Sequence, residues 1–155
     1  MPHLLLLLML LGFSTTSLAD VTGIGLAAQA NIVSVDGTKV RLEGIDMPEP
    51  EQTCRKSSAD WRCGYDALDT LRRWIYTKEV RCIGSTSDAY GRLSGECFVD
   101  GYSLNARLIS EGWAIVDLSM PTRYKAEENA ARSAQKGLWS SEFVTPAEWR
   151  AGRRL

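Results

Sequence analysis

Histidine is almost missing from this chain: one residue in 155, at position 3, inside an apolar leader. From Asp20 onward there is no imidazole, which excludes Ser-His-Asp and Cys-His catalysis and removes histidine as a metal ligand. Acid–base chemistry is left to carboxylates, Arg, Lys or Tyr. Cysteine is sparse as well, with four residues and no paired C-x-x-C spacing, which argues against a zinc site. An excess of positive charge is also lacking: 18 Lys and Arg stand against 19 Asp and Glu, for a net charge of −1. The broad basic surface of a typical nucleic-acid binder is therefore excluded, although a local basic pocket is not. No apolar run is long enough to span a bilayer. Repeats and low-complexity tracts are absent too.

What is present begins with the leader. In MPHLLLLLMLLGFSTTSLA an apolar run from Leu4 to Leu11 is followed by small polar residues and by Ser17-Leu18-Ala19 before Asp20, the pattern of a cleaved secretory signal. We expect residues 1–19 to be a signal peptide and 20–155 to form one domain. The domain would be periplasmic or secreted, with no stable membrane insertion after cleavage, and monomeric. In an oxidising compartment the even set Cys54, Cys63, Cys82 and Cys97 implies disulfides.

Strand signals dominate the first half. Residues 24–35 end in the apolar-rich Ile32-Val33-Ser34-Val35, Asp36-Gly37 marks a turn, and Lys39 to Ile45 reads as the returning strand. Residues 50–62 read as a polar loop. Ala67, Leu68, Leu71, Trp74 and Ile75 share one face of a helix over 66–77. Val80 to Ile83 and Leu93 to Val99 read as strands around the turn Asp88-Ala89-Tyr90-Gly91, and helices are expected over 103–111 and 123–136. Trp74, Trp113, Trp139 and Trp149 are expected to pack. Strands first, with helices inserted and appended, suggest α+β: an OB-fold-like five-stranded antiparallel barrel with about three helices. If the 88–91 turn has a two-residue loop, opposite residues sum to 179, as Cys82 and Cys97 do. That register pairs Cys82 with Cys97 and leaves Cys54 for Cys63.

One stretch carries concentrated chemistry. RLEGIDMPE, residues 41–49, ends a strand on Arg41 and then sets Asp46 and Glu49 on the following turn. Such a strand end is either solvated or one wall of a phosphate or metal site.

RLEGIDMPE, DAYGR at 88–92, LNARLISEGWA at 104–114 and RYKAEENAARSAQKGLW at 123–139 together resemble the staphylococcal-nuclease (thermonuclease) family. The exported bacterial branch is the nearest likeness, with paired cysteines and a terminal P-x-E-W-R, here Pro146 to Arg150. The resemblance implies an OB-type barrel and calcium-dependent hydrolysis of DNA and RNA phosphodiesters, with single-stranded nucleic acid as substrate. It assigns Arg41 and Arg92 to the scissile phosphate and Glu49 to the attacking water. Tyr90 would lie near the nucleotide phosphates. Asp46, the Met47 carbonyl and the residue at position 31 would hold Ca2+. Those residue types suit the reaction: guanidinium groups meet the charge of a phosphoryl transition state, calcium takes oxygen ligands, and a carboxylate can act as general base.

The match also departs from the family pattern. Many relatives carry Asp-Gly-Asp-Thr with its second Asp ten residues before the strand-end Arg; here that position is Asn31, so a weakened metal site is expected. Ala89 stands where a basic residue is frequent, and Asp117 and Met120 replace two aromatics. An alternative therefore stands beside the nuclease: a catalytically inactive accessory or binding protein, for example in exopolysaccharide production.

Overall fold

Val33, Val35, Val40 and Leu42 are fully buried, whereas the intervening Ser34, Lys39 and Arg41 are not. That period of two is what a strand with one face on a core requires. The computed structural model describes residues 18–155, so nearly all of the expected signal segment lies outside the described residues.

The strands are β1 (Ala19–Gln29), β2 (Ile32–Val35), β3 (Thr38–Leu42), β4 (Ile45–Asp46), β5 (Cys54–Lys56), β6 (Ala59–Trp61), β7 (Glu79–Ser87), β8 (Leu93–Val99), β9 (Tyr102–Ser103) and β10 (Ile115–Val116). The α-helices are α1 (Cys63–Ile75), α2 (Leu104–Ser110), α3 (Lys125–Ser133) and α4 (Pro146–Arg150). The main sheet runs β3-β2-β1-β7-β8-β9 and closes into a barrel through β3 and β8. Ala67, Leu68, Leu71 and Ile75 of α1 and Leu104, Leu108 and Ile109 of α2 join the barrel residues in one core, with Trp74 and Trp113 packed partly buried against it.

Four features differ from the sequence reading. The barrel is mixed, because five strands each antiparallel to the next leave the outer pair running the same way. The β3–β8 seam is accordingly parallel, with Val40 opposite Leu93 and Arg41 opposite Ser94. It sets the end of β3 beside the start of β8, and so brings Arg41 and Arg92 to one rim. The strand expected over 24–35 is split at Ala30-Asn31, where Asn31 takes the left-handed φ of 60° that asparagine tolerates. The 50–62 loop contains the β5–β6 hairpin, turned at Ser57 and Ser58 with φ of 50° and 67°. Such turns ordinarily use Asn and Gly, so Ser-Ser left no local signal. Finally, the described residues form four α-helices where about three were expected. The fourth is started by Pro146 and by a capping box between Thr145 and Glu148.

The disulfides are Cys54–Cys63 and Cys82–Cys97, as the register arithmetic expects, but for a modified reason. The turn holds Ala89, Tyr90 and Gly91 between Asp88 and Arg92, so opposite residues near it sum to 180, as in Ser87 and Leu93. A bulge between Gly84 and Thr86 takes up one residue and restores the sum of 179 at Cys82 and Cys97. Both cysteines are fully buried in the barrel core. Replacing both with Ala opens a loop of ~15 residues and should lower stability by about 3 kcal/mol in urea titrations. A loss below about 0.5 kcal/mol would contradict that account.

Candidate functional site

Asp46 is the buried acid of the barrel mouth. It ends β4, which pairs with β10 by setting Asp46 opposite Ile115, and only 10% of its side chain is exposed. A carboxylate so placed needs donors. It has three. Asn31 Nδ2 donates to Oδ1 at 3.0 Å, Arg150 Nη1 to Oδ1 at 3.1 Å, and Arg150 Nη2 to Oδ2 at 2.8 Å. The Asn31 amide oxygen accepts the Met47 N–H at 2.7 Å, while the Asn31 backbone carbonyl accepts from Leu42. Asn31 thus clips the end of β3 to the segment after β4. The Met47 side chain is wholly buried in the core.

Glu49 is held by its backbone. Its N–H donates to Gln52 Oε1 at 3.3 Å, its carbonyl accepts from the Gln52 N–H at 2.8 Å, and the fully buried Gln52 amide donates to the Val144 carbonyl at 2.8 Å. A β-carbon at Gly64 would lie 1.7 Å from the Glu49 carbonyl oxygen, so only glycine lets the Glu49 turn lie this close to the start of α1. The Glu49 carboxylate reaches into the cleft and accepts from Arg150 Nη1 at 2.9 Å. The hydrogen bond to Asp46, supported by that to Glu49, raises the Arg150 pKa well above its ordinary value.

The two remaining arginines of the rim are also paired. Arg41 donates to Asp117 Oδ2 at 3.1 Å, and Asp117 accepts further bonds from the N–H and hydroxyl of Ser119. Burial pushes the Asp117 pKa up, but the Ser119 donors and Arg41 outweigh it and hold the carboxyl below its usual value. Arg92 Nε donates to Asp88 Oδ2 at 2.6 Å, and Asp88 Oδ1 accepts the N–H groups of Tyr90 and Arg92. The Tyr90 ring is largely exposed, 4.9 Å from the Arg92 guanidinium.

These side chains surround a cleft of about 1090 Å³ lined by Arg41, Arg62, Arg72, Arg92 and Arg150, with Glu49, Glu51, Tyr65, Tyr90 and Asn31 among the other lining residues. Five arginines facing two glutamates make a locally basic pocket on a chain of net charge −1. The structure therefore brings Arg41, Glu49, Arg92, Tyr90 and Asn31 to one cleft, with Asp46 behind Arg150 and the Met47 side chain in the core. Arg62, whose guanidinium lies 4.5 Å from the Tyr65 ring, and Arg72, bonded to the Ala27 carbonyl, were not singled out in the sequence.

The donor set around Asp46 does not fit a divalent cation as folded. Both Asp46 oxygens accept protein N–H groups, the Asn31 oxygen accepts the Met47 N–H, and a guanidinium stands within 3.1 Å of the carboxylate. Calcium needs several free oxygen ligands and is repelled by such a neighbour. Among the described residues no three His, Cys, Asp or Glu side chains are grouped to hold a metal.

Comparison with known proteins agrees with the fold. Residues 39–141 match the family described as staphylococcal nuclease homologue. The chain is 31% identical over 125 residues to the succinoglycan biosynthesis protein ExoI of Rhizobium meliloti, covering 78% of this chain and 65% of that one. It is 30% identical over 119 residues to the staphylococcal-like nuclease CAN1 of Arabidopsis thaliana, covering 75% of this chain and 34% of the relative. Against a protein named "Probable endonuclease LCL3" of Komagataella phaffii, identity is 32% over 124 residues, with 72% and 53% covered. The chain thus spans between one third and just under two thirds of the length of these relatives.

Gln52 offers a direct check on how the site is held. Gln52→Ala would leave the Glu49 N–H and the Val144 carbonyl without their partner and open a small cavity. Denaturant titration should show a loss of about 2–3 kcal/mol. An unchanged midpoint would mean that the Glu49 turn is held by other contacts.

Proposed function

The chain belongs to the staphylococcal nuclease family, and on that premise we propose that it binds single-stranded nucleic acid along the arginine-lined cleft and hydrolyses its phosphodiester bonds slowly. The observation that carries this reading is the convergence of five arginines on one cleft around the Glu49 carboxylate. A guanidinium offers paired, permanently charged donors to phosphate oxygens and to the extra charge of the transition state. In this reading Arg41 and Arg92 grip the scissile phosphate. Glu49 accepts a proton from the attacking water, whose oxygen bonds to phosphorus as the ester oxygen departs. Tyr90 and Tyr65 offer ring faces to bases or sugars at the ends of the cleft.

Binding is an exchange of partners. Arg41 must loosen from Asp117 and Arg92 from Asp88 before either can turn fully to a phosphate. That competition motivates slow turnover and modest affinity. Both Asp46 oxygens are engaged by Arg150 and Asn31, so calcium has no role in this reading. Two disulfides suit an oxidising compartment and support an exported protein.

A second reading is binding without cleavage, as part of exopolysaccharide production. The carboxylate held against each of the three rim arginines favours it, as does the likeness to a relative named for succinoglycan biosynthesis.

Purified protein and labelled single-stranded DNA and RNA separate the two. The nuclease reading predicts cleavage that falls about 100-fold or more in Glu49→Gln, with binding retained. Arg41→Ala and Arg92→Ala should each weaken binding about tenfold, as loss of a charge-assisted phosphate contact implies, in proteins that circular dichroism shows to be folded. Binding without cleavage by the unaltered protein would favour the accessory reading. Cleavage undiminished in Glu49→Gln would remove Glu49 from the chemistry.

A further inference from the structure

We infer that Arg150 is a built-in cation, standing at the Asp46 carboxylate in place of a divalent ion and turning its remaining N–H groups toward a bound phosphodiester. The second half of this inference rests on the phosphodiester reading of the cleft. The first half rests on the geometry around Asp46 alone.

A guanidinium has five N–H donors in a planar fork. Nη1 uses its two on Asp46 Oδ1 and Glu49 Oε1, and Nη2 uses one on Asp46 Oδ2. The Nε–H and the second Nη2–H have no partner among the described residues. The Arg150 side chain is 44% exposed and lines the same cleft as Arg41 and Arg92. One face of the guanidinium fork is therefore fixed by two carboxylates while the rest is open to an anion, much as a bridging metal ion would be.

Position 31 completes the argument. A carboxylate there would put a second negative charge within hydrogen-bond distance of Asp46, and a doubly charged cation would be needed to balance the pair. Asn31 instead brings a neutral amide that donates to Asp46 Oδ1 at 3.0 Å and accepts from Met47 at 2.7 Å. An amide and a guanidinium are a matched set around one carboxylate. The amide supplies a donor where a metal ligand would supply charge, and Arg150 supplies the cation. The capping box and Pro146 of α4 fix the short helix that carries Arg150 to this point.

The test uses calcium chloride as one probe and a fluorescein-labelled oligothymidylate with phosphorothioate linkages as the other. Calorimetric titration of the full protein with calcium, without nucleic acid, should give no saturable binding at millimolar concentrations. Arg150→Gln should gain a saturable calcium site, and Asn31→Asp combined with Arg150→Gln should bind calcium about tenfold more tightly still, as one added charge implies. Circular dichroism should show all of these proteins folded. The oligothymidylate should bind the unaltered protein equally in chelator and in calcium, whereas Arg150→Gln should bind it several-fold more weakly in chelator. Saturable calcium binding by the unaltered protein overturns the inference, as does the absence of any gain in both variants. Calcium-dependent oligothymidylate binding by the unaltered protein overturns it too. No oligothymidylate binding by any of the proteins would overturn the phosphodiester reading and the anion-facing half, leaving the calcium titrations to judge the ion-replacing half.

Discussion

A carboxylate with a tenth of its side chain exposed needs donors close at hand, and the mouth of this barrel is organised around Asp46, which has three. Asp46 closes β4 and meets Arg150 from 104 residues further along the chain. The pair ties the last helix to the first turn of the site. Breaking such a pair by removing one partner generally costs more than the pair itself contributes, because the survivor is left buried and unmatched. The same guanidinium also holds Glu49, so the placement of the Glu49 carboxylate depends on the residue that pairs with Asp46.

The cleft as a whole shows the same economy of charge. Arg41 leans on Asp117, Arg92 on Asp88 and Arg150 on Asp46 and Glu49. Each of these three arginines is positioned by its acid and partly neutralised by it. A protein with no overall positive charge can thus maintain a basic cleft that is ordered before any anion arrives. The acids that order it also compete with any anion that enters the cleft. Asp117 shows both sides. It offers no ring for stacking, yet paired with Arg41 its charge is offset.

Much of this arrangement was legible in the residue order. The hairpin of β2 and β3 sets Ile32 opposite Arg41, so Asn31, one residue earlier, falls beside the strand-end arginine, as counting back ten places from Arg41 implies. The parallel seam was implicit in the parity of five strands but not in any local pattern. The Ala30-Asn31 turn was hidden inside an apolar stretch, and the β5–β6 hairpin inside a polar one. Arg150 was visible only as the end of a P-x-E-W-R run. Its meaning depends on a contact across nearly the whole domain, which no periodicity reports. The run Thr145-Pro146-Ala147-Glu148 did carry a readable signal, since a capping residue, a proline and a glutamate in that order announce a helix start. Following that helix to its last residue would have posed the question of what its arginine meets.

The central claim is that Arg150 and Asp46 act as one electrostatic unit without help from a metal. A double-mutant cycle tests it most directly: the stabilities of the unaltered protein, Asp46→Asn, Arg150→Gln and the double variant, measured by denaturant titration in the presence of chelator. A partly buried bidentate pair should show a coupling free energy of about 1–3 kcal/mol in chelator. A coupling within about 0.3 kcal/mol of zero in chelator would contradict the account.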